Sequence, residues 1–309
     1  MTPSLRLCCV LLAGIRVVSA QQIPDLGYSP TIVSPAYAIG EGPLVGIDEA
    51  HHNFHTADGR YGAFAKLLRR DGYVVVGHAK EFSEESLSEL DVLVIANPLN
   101  EINDRNWKLP TPSAFTKAEI EALQVWVKQG GALFMMIDHM PFPGSAGELA
   151  ATFGFEFSNG FVELPDYQRG SPDIFDEHSG LIDHPILQGR TEIERIGRVA
   201  TFTGSAFKAP PGAQLILVLP ANTISKEPDV AWEFDETTRI VKVGGWSQGS
   251  VMTVGAGRLA VFGEAGMFTA QLAGDNKRKM GMTAPGAEEN YQFLLNVMHW
   301  LTNLPGMQE

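Results

Sequence analysis

The sequence predicts an α/β protein: a doubly wound, mainly parallel sheet with helices on both faces and antiparallel additions near its C-terminal edge. Three observations carry this expectation. Short apolar runs alternate with helical stretches along the first half of the chain. Repeated strand–helix units imply a parallel sheet covered on both faces. Four further strand-like runs crowd together late in the chain, where short connections favour antiparallel pairing.

The elements follow in order. Residues 21–43, rich in Pro, Ser and Gly, read as an extended lead-in to a domain spanning 44–303. Leu44 to Ile47 reads as a buried strand ending in acids. Arg60 to Arg70 is helical, with Tyr61, Phe64, Leu67 and Leu68 on one face, and Asp71-Gly72 ends it. Tyr73 to Val76 reads as a strand, Ser83 to Leu90 as a short helix and Val92 to Ala96 as the third strand. Thr116 to Gln129 is the clearest helix. Thr116 and Glu119 form a capping box, Ile120, Leu123 and Val127 give the buried face, and Gly130-Gly131 stops it. Ala132 to Ile137 is the fourth strand, and Ser145 to Phe153 a further helix. Residues 158–200, with Pro165, Pro172, Pro185 and many acids, break the alternation as an irregular insertion. Leu215 to Leu219, Ile240 to Val243, Val251 to Val254 and Leu259 to Phe262 read as the late strands. Glu288 to Leu301 is the closing helix.

Composition bounds the function. The chain has 309 residues, 44% hydrophobic and 19% charged, an ordinary globular mixture. Its net charge of −13 repels phosphate backbones and argues against nucleic-acid partners. No run of 18 apolar residues offers a membrane span. Residues 1–20 read as a secretory signal peptide: Arg6 leads an apolar stretch that ends in Val18-Ser19-Ala20. The expected mature protein is exported, periplasmic or extracellular. It keeps 21 basic against 36 acidic residues, net −15, and loses Cys8 and Cys9. Disulfides, zinc–cysteine sites and cysteine nucleophiles are then ruled out.

In such sheets ligands sit at the carboxyl ends of the strands, and three strand ends carry reactive residues. Asp48 to Asp58 holds Asp48, Glu49, His51, His52, Asn53, His55 and Asp58 between the first strand and the first helix. His51 and His55 are four apart, so one helical turn would put them on one face. Asp138-His139 follows the fourth strand, where a carboxylate can orient an imidazole or share a metal. Gly263-Glu264-Ala265-Gly266 follows Phe262, with Gly263 allowing close approach and Glu264 available as a base. Phosphate-binding loops are absent. Gly255-Ala256-Gly257 reads as a hairpin turn, and no G-x-S-x-G elbow occurs.

The helix ending Trp126-Val127-Lys128-Gln129-Gly130-Gly131 and the strand after it resemble the class I glutamine amidotransferase-like superfamily, including ThuA-like domains. Asp183-His184-Pro185-Ile186-Leu187-Gln188-Gly189 resembles that group's His-Pro-Ile-x-x-Gly segment, and Leu259 to Glu264 also suits it. The resemblance implies a flavodoxin-like, amidotransferase-like fold. It departs at the nucleophile: Asp138-His139-Met140 stands where a cysteine would follow the strand, and no His-Pro precedes Glu264. Thioester glutamine hydrolysis is therefore excluded.

Two functions are carried forward. One is an exported domain that binds a small polar or carbohydrate ligand through Asp48, Asn53, Asn97 and Gly263, with Trp107, Trp126, Trp232 or Trp246 available for sugar stacking. The other is a metal-dependent or acid–base hydrolase. There His51, His55 and Asp138 would hold a divalent ion such as zinc, and Glu49, Glu264 and His139 would transfer protons. The first strand is expected to lie beside the fourth, bringing these histidines to Asp138.

Overall fold

The computed structural model describes residues 22–168 and 170–307; the signal-peptide expectation and Cys8 and Cys9 lie outside the described residues. The main elements are β1 (Leu44–Asp48), α1 (Gly62–Arg70), β2 (Val74–His78), α2 (Glu84–Leu87), β3 (Val92–Ala96), α3 (Lys117–Lys128), β4 (Ala132–Met136) and α4 (Phe142–Thr152). They continue with β5 (Glu156–Phe157), β6 (Phe207–Lys208), β7 (Gln214–Val218), β8 (Ser247–Val254), β9 (Gly257–Phe262) and α5 (Asn290–Leu301).

The fold is α/β with a mixed sheet of nine strands. Strands β2-β1-β3-β4-β9 are parallel neighbours in that order. Beyond β9 the pairing is antiparallel: β8 pairs β9, β6 and β7 pair β8, and β5 pairs β6. The hairpin expected at Gly255-Ala256-Gly257 joins β8 to β9.

The parallel strands are apolar throughout because each face meets its own hydrophobic layer. Val92, Val94 and Ala96 of β3, with Phe134 and Met136 of β4, join the layer formed by α1 and α5. Leu93, Ile95, Leu133 and Met135 point the other way, into the layer under α2, α3 and α4. Helix α3 has the expected capping box, with Leu123 and Val127 fully buried. Among the described residues no helix is long and apolar enough to cross a membrane.

Several expectations need correction. Within the extended lead-in, Gln22–Pro24 adds an unforeseen strand to Ala270–Ala273, which pairs Arg278–Gly281. Residues 158–200 are partly regular: Asp173–Asp176 pairs Arg198–Thr201, and Phe161–Glu163 pairs Ile224–Glu227. The strand Arg239–Lys242 belongs to that latter small sheet and not to the main one. Helix α4 begins at Phe142, because Pro143 fits the first turn, where a missing N–H costs nothing. Most consequentially, β1 does not lie beside β4. Strand β3 separates them and carries Asn97 into the space between.

Candidate functional site

Asn97 follows β3 with φ of 50°, a left-handed conformation that Asn tolerates better than most residues. Its backbone is fixed by hydrogen bonds from Asn97 N to Met136 O (3.0 Å) and from Phe54 N to Asn97 O (3.0 Å). Its amide oxygen accepts the Asp138 backbone N–H at 2.8 Å. That contact fixes the amide's orientation and turns Nδ2 toward His55 Nδ1, 3.2 Å away. One buried side chain thus ties the loop after β1 to the residues after β4.

His139 lies directly after Asp138, whose Oδ1 accepts the His139 backbone N–H at 2.9 Å. Its Nδ1 donates to the Met140 carbonyl at 2.8 Å. The ring stacks on Phe161, with centroids 4.3 Å apart, and meets Trp232 edge-on at 4.6 Å. Trp107 and Phe142 stand further out, at 6.2 and 5.9 Å. Trp232 is 50% exposed, so an aromatic surface opens to solvent beside a largely buried imidazole. It reaches this position because Ala231 N donates to Trp107 O and Leu109 N to Asp229 O, both at 2.8 Å.

Glu264 is buried at the end of β9. Its carboxyl accepts the backbone N–H of Gly266 at 2.8 Å and of Met267 at 2.6 Å, with that of Phe202 also directed at it. Burial, followed by the charge of Asp138, holds its pKa well above the usual carboxylate range. Tyr61, donating to Ala265 O at 3.1 Å, is raised by burial and by the same two acids. His55 is pushed down to about 3 by burial, with Arg60 and His139 adding to the effect. Arg60 lies 3.6 Å over the Phe54 ring, and its Nε is buried without a partner.

His51 has a different task. Its Nδ1 lies 2.9 and 3.0 Å from the two oxygens of Asp48, and its Nε2 lies 2.8 Å from Glu119 Oε1. Phe82 and Phe115 pack on the ring, with centroids at 4.5 and 4.6 Å. Both nitrogens face carboxylates, so the ring is held as an imidazolium donating at both ends. Asn53 closes the network, its Nδ2 donating to Asp48 at 2.9 Å and its Oδ1 accepting the His51 backbone N–H at 3.0 Å.

The proposed ligand set of His51, His55 and Asp138 is therefore not assembled. His51 is saturated by carboxylates, and His55 is turned to Asn97. Among the described residues no three His, Cys, Asp or Glu side chains are placed to hold a metal ion. Asp48 and Asn53 are engaged with His51 and with each other. Glu49 accepts the Ala57 backbone N–H at 2.8 Å, and Glu264 caps its own turn, so neither is placed as a free base. Gly263 is needed for packing, since a Cβ there would sit 2.2 Å from Ser205 O. His139, Asn97, His55 and Asp138 do come together.

Sequence reasoning did not single out Phe161, Arg60 or Tyr61. Trp107 and the half-exposed Trp232, both named for stacking, are the sequence signals for the aromatic surface. Of the other tryptophans named for stacking, Trp126 lies on α3, and Trp246 stands beneath Lys208 Nζ at 5.0 Å. Two surface cavities lie elsewhere. One of about 790 Å³ lies between Tyr28 and Tyr291, and one of about 960 Å³ is lined by Trp126 and Arg258. Neither contains a residue of the strand-end cluster. Convergent polar groups favour the strand ends as the site over cavity volume alone.

No family model and no curated protein matches the chain. Among solved structures, the mmIFT52 N-terminal domain is similar, with a TM-score of 0.59 at 17% identity over 84% of this chain and 97% of that one. A ThuA-like protein from Bacteroides uniformis gives 0.49 at 14% identity, over 88% and 94%. A β-galactosidase from Bacillus circulans gives 0.44 at 9% identity, over 85% of this chain and 31% of that one. At these identities the first likeness is one of fold.

Proposed function

We propose that this is an exported, doubly wound amidotransferase-like domain without thiol chemistry, and that its strand ends bind a small neutral polar ligand, a sugar being the class that fits best. The observation that carries the reading is the half-exposed Trp232 set edge-on against His139, an apolar ring face beside a polar imidazole. Sugars present just such a combination of C–H faces and hydroxyls, and aromatic rings with a polar neighbour suit both. The acidic surface supports an uncharged ligand over nucleic acid. Asp138-His139-Met140 in the strand-end position supports loss of the nucleophile.

The test is calorimetric titration of methyl α- and β-glycosides of glucose, galactose and mannose into the mature chain and its Trp232→Ala variant. The expected result is binding of at least one glycoside, weakened about tenfold or more by the substitution. No binding to the parent, or equal binding to both, contradicts the reading.

One observation favours a second reading, an acid–base hydrolase: burial, followed by the charge of Asp138, keeps the Glu264 carboxyl protonated to higher pH, and among the described residues His139 Nε2 has no hydrogen-bond partner. Turnover of nitrophenyl glycosides that disappears in His139→Ala would favour it. Absence of turnover in the parent would remove it.

A further inference from the structure

We infer that His55 and His139 present opposite hydrogen-bonding tautomers to the strand-end face, one donor and one acceptor, and that this pair selects a neutral hydroxyl over an anion or a cation. The inference rests on the small-polar-ligand reading above and names what that site selects.

The tautomers follow from partners that leave no choice. A backbone N–H only donates, so the Asn97 oxygen must face Asp138 N, and the Asn97 NH₂ must face His55. The NH₂ in turn only donates, so His55 Nδ1 is the bare nitrogen and its proton sits on Nε2. At His139 the partner is a carbonyl, which only accepts. In the neutral ring Nδ1 therefore carries the proton, and Nε2 keeps its lone pair.

Among the described residues neither Nε2 has a hydrogen-bond partner. The sealed, unpartnered side-chain atoms include His78 Nε2 and His299 Nδ1, but neither His55 Nε2 nor His139 Nε2. Both atoms are thus left to solvent or a ligand. The two rings are linked by packed neighbours: Phe54 lies 5.4 Å from His55 and 5.8 Å from Phe142, which lies 5.9 Å from His139.

A hydroxyl matches this pair, donating its proton to His139 Nε2 and accepting from His55 Nε2–H. A carboxylate would satisfy His55 but set its lone pairs against His139 and its charge near Asp138. An ammonium would satisfy His139 and clash with the His55 proton. An unpaired or repelled group in a desolvated site costs more than a matched one returns.

Asn97 is the residue that sets the pair, and Asn97→Asp tests it. Aspartate also tolerates the left-handed backbone here and still accepts the Asp138 N–H, but it offers His55 an acceptor in place of a donor. Long-range ¹H–¹⁵N correlation spectra of the full mature chain read each tautomer directly. The parent should show His55 protonated on Nε2 and His139 on Nδ1, and Asn97→Asp should move the His55 proton to Nδ1. Unchanged His51 signals would show that the fold is kept. Methyl glycosides should bind the variant about tenfold more weakly, and the parent should prefer them to acetate and to methylammonium. Identical tautomers in the parent, or equal glycoside binding by Asn97→Asp after a tautomer switch, overturns the inference. If the parent prefers acetate or methylammonium, donor–acceptor selection fails. If it binds none of the probes, the small-polar-ligand reading fails with it, whatever the tautomers.

Discussion

His51 joins Glu119 across 68 residues of sequence: its Nε2 lies 2.8 Å from the Glu119 carboxylate while its Nδ1 rests on Asp48. Glu119 also completes the capping box of α3, accepting the Thr116 hydroxyl at 2.7 Å and the Thr116 backbone N–H at 2.9 Å. One imidazolium therefore fastens the loop after β1 to the start of a helix that covers the sheet.

Replacing His51 with alanine strands two buried carboxylates. Removing one partner of a buried ionic network costs roughly 3–5 kcal/mol. An unfolding free energy from urea titration lowered by that amount is expected for His51→Ala, and a loss below about 1 kcal/mol would show that the network is not holding the loop.

The same network makes stability depend on pH from both sides. For His51, burial opposes the charged form, but the hydrogen bonds and charges of Asp48 and Glu119 outweigh it and raise the pKa above 6.5. Its stabilisation is complete below about 6.5 and fades as pH rises through the raised folded value. For Glu119, burial is outweighed by hydrogen bonds from Thr116, His51 and the Phe82 backbone, and the pKa is lowered from 4.5. Its stabilisation is complete above that value and is lost as pH falls through the lowered one. Tm measured from acid to mildly alkaline pH should lose its alkaline decline in His51→Phe and keep it in the parent. Parallel curves would contradict the assignment.

Leu123 is fully buried on α3 against the second hydrophobic layer. Leu123→Ala should cost roughly 2–5 kcal/mol through the cavity left behind. An unchanged denaturant midpoint would mean that this helix face does not pack as described.

Because His51 is saturated by carboxylates and His55 faces Asn97, zinc should find no tight site built from His51, His55 and Asp138. Chelator treatment should leave Tm unchanged, and zinc titration should give the same heats for the parent and His55→Ala. Saturable binding abolished by His55→Ala would restore the metal reading.

Local signals made much of the fold legible. Strands β3 and β4 are short apolar runs, and the capping box of α3 is written in residues three apart, so each is fixed by its own neighbourhood. Strand order is not local. The sequence carried no sign that β3 would enter between β1 and β4, and that one insertion keeps His51 from Asp138 and makes Asn97 the bridge. The histidine-rich loop looked like a ligand set because side-chain type is visible in a sequence and partner choice is not. Trp232 was legible only as one tryptophan among several, because its position depends on a loop crossing from residue 229 to residue 109.

Ligand binding at the strand ends is tested most directly by imidazole and indole NMR of the ¹⁵N-labelled protein, titrated with neutral methyl glycosides. The signals of His55, His139 and Trp232 should shift together and saturate with one affinity, while His51 and His299, held by Asp48 and Glu119 and by Asp71, stay in place. Saturable shifts confined to residues of the Tyr28–Tyr291 or Trp126–Arg258 cavity, or no shift at His139 and Trp232, would contradict it.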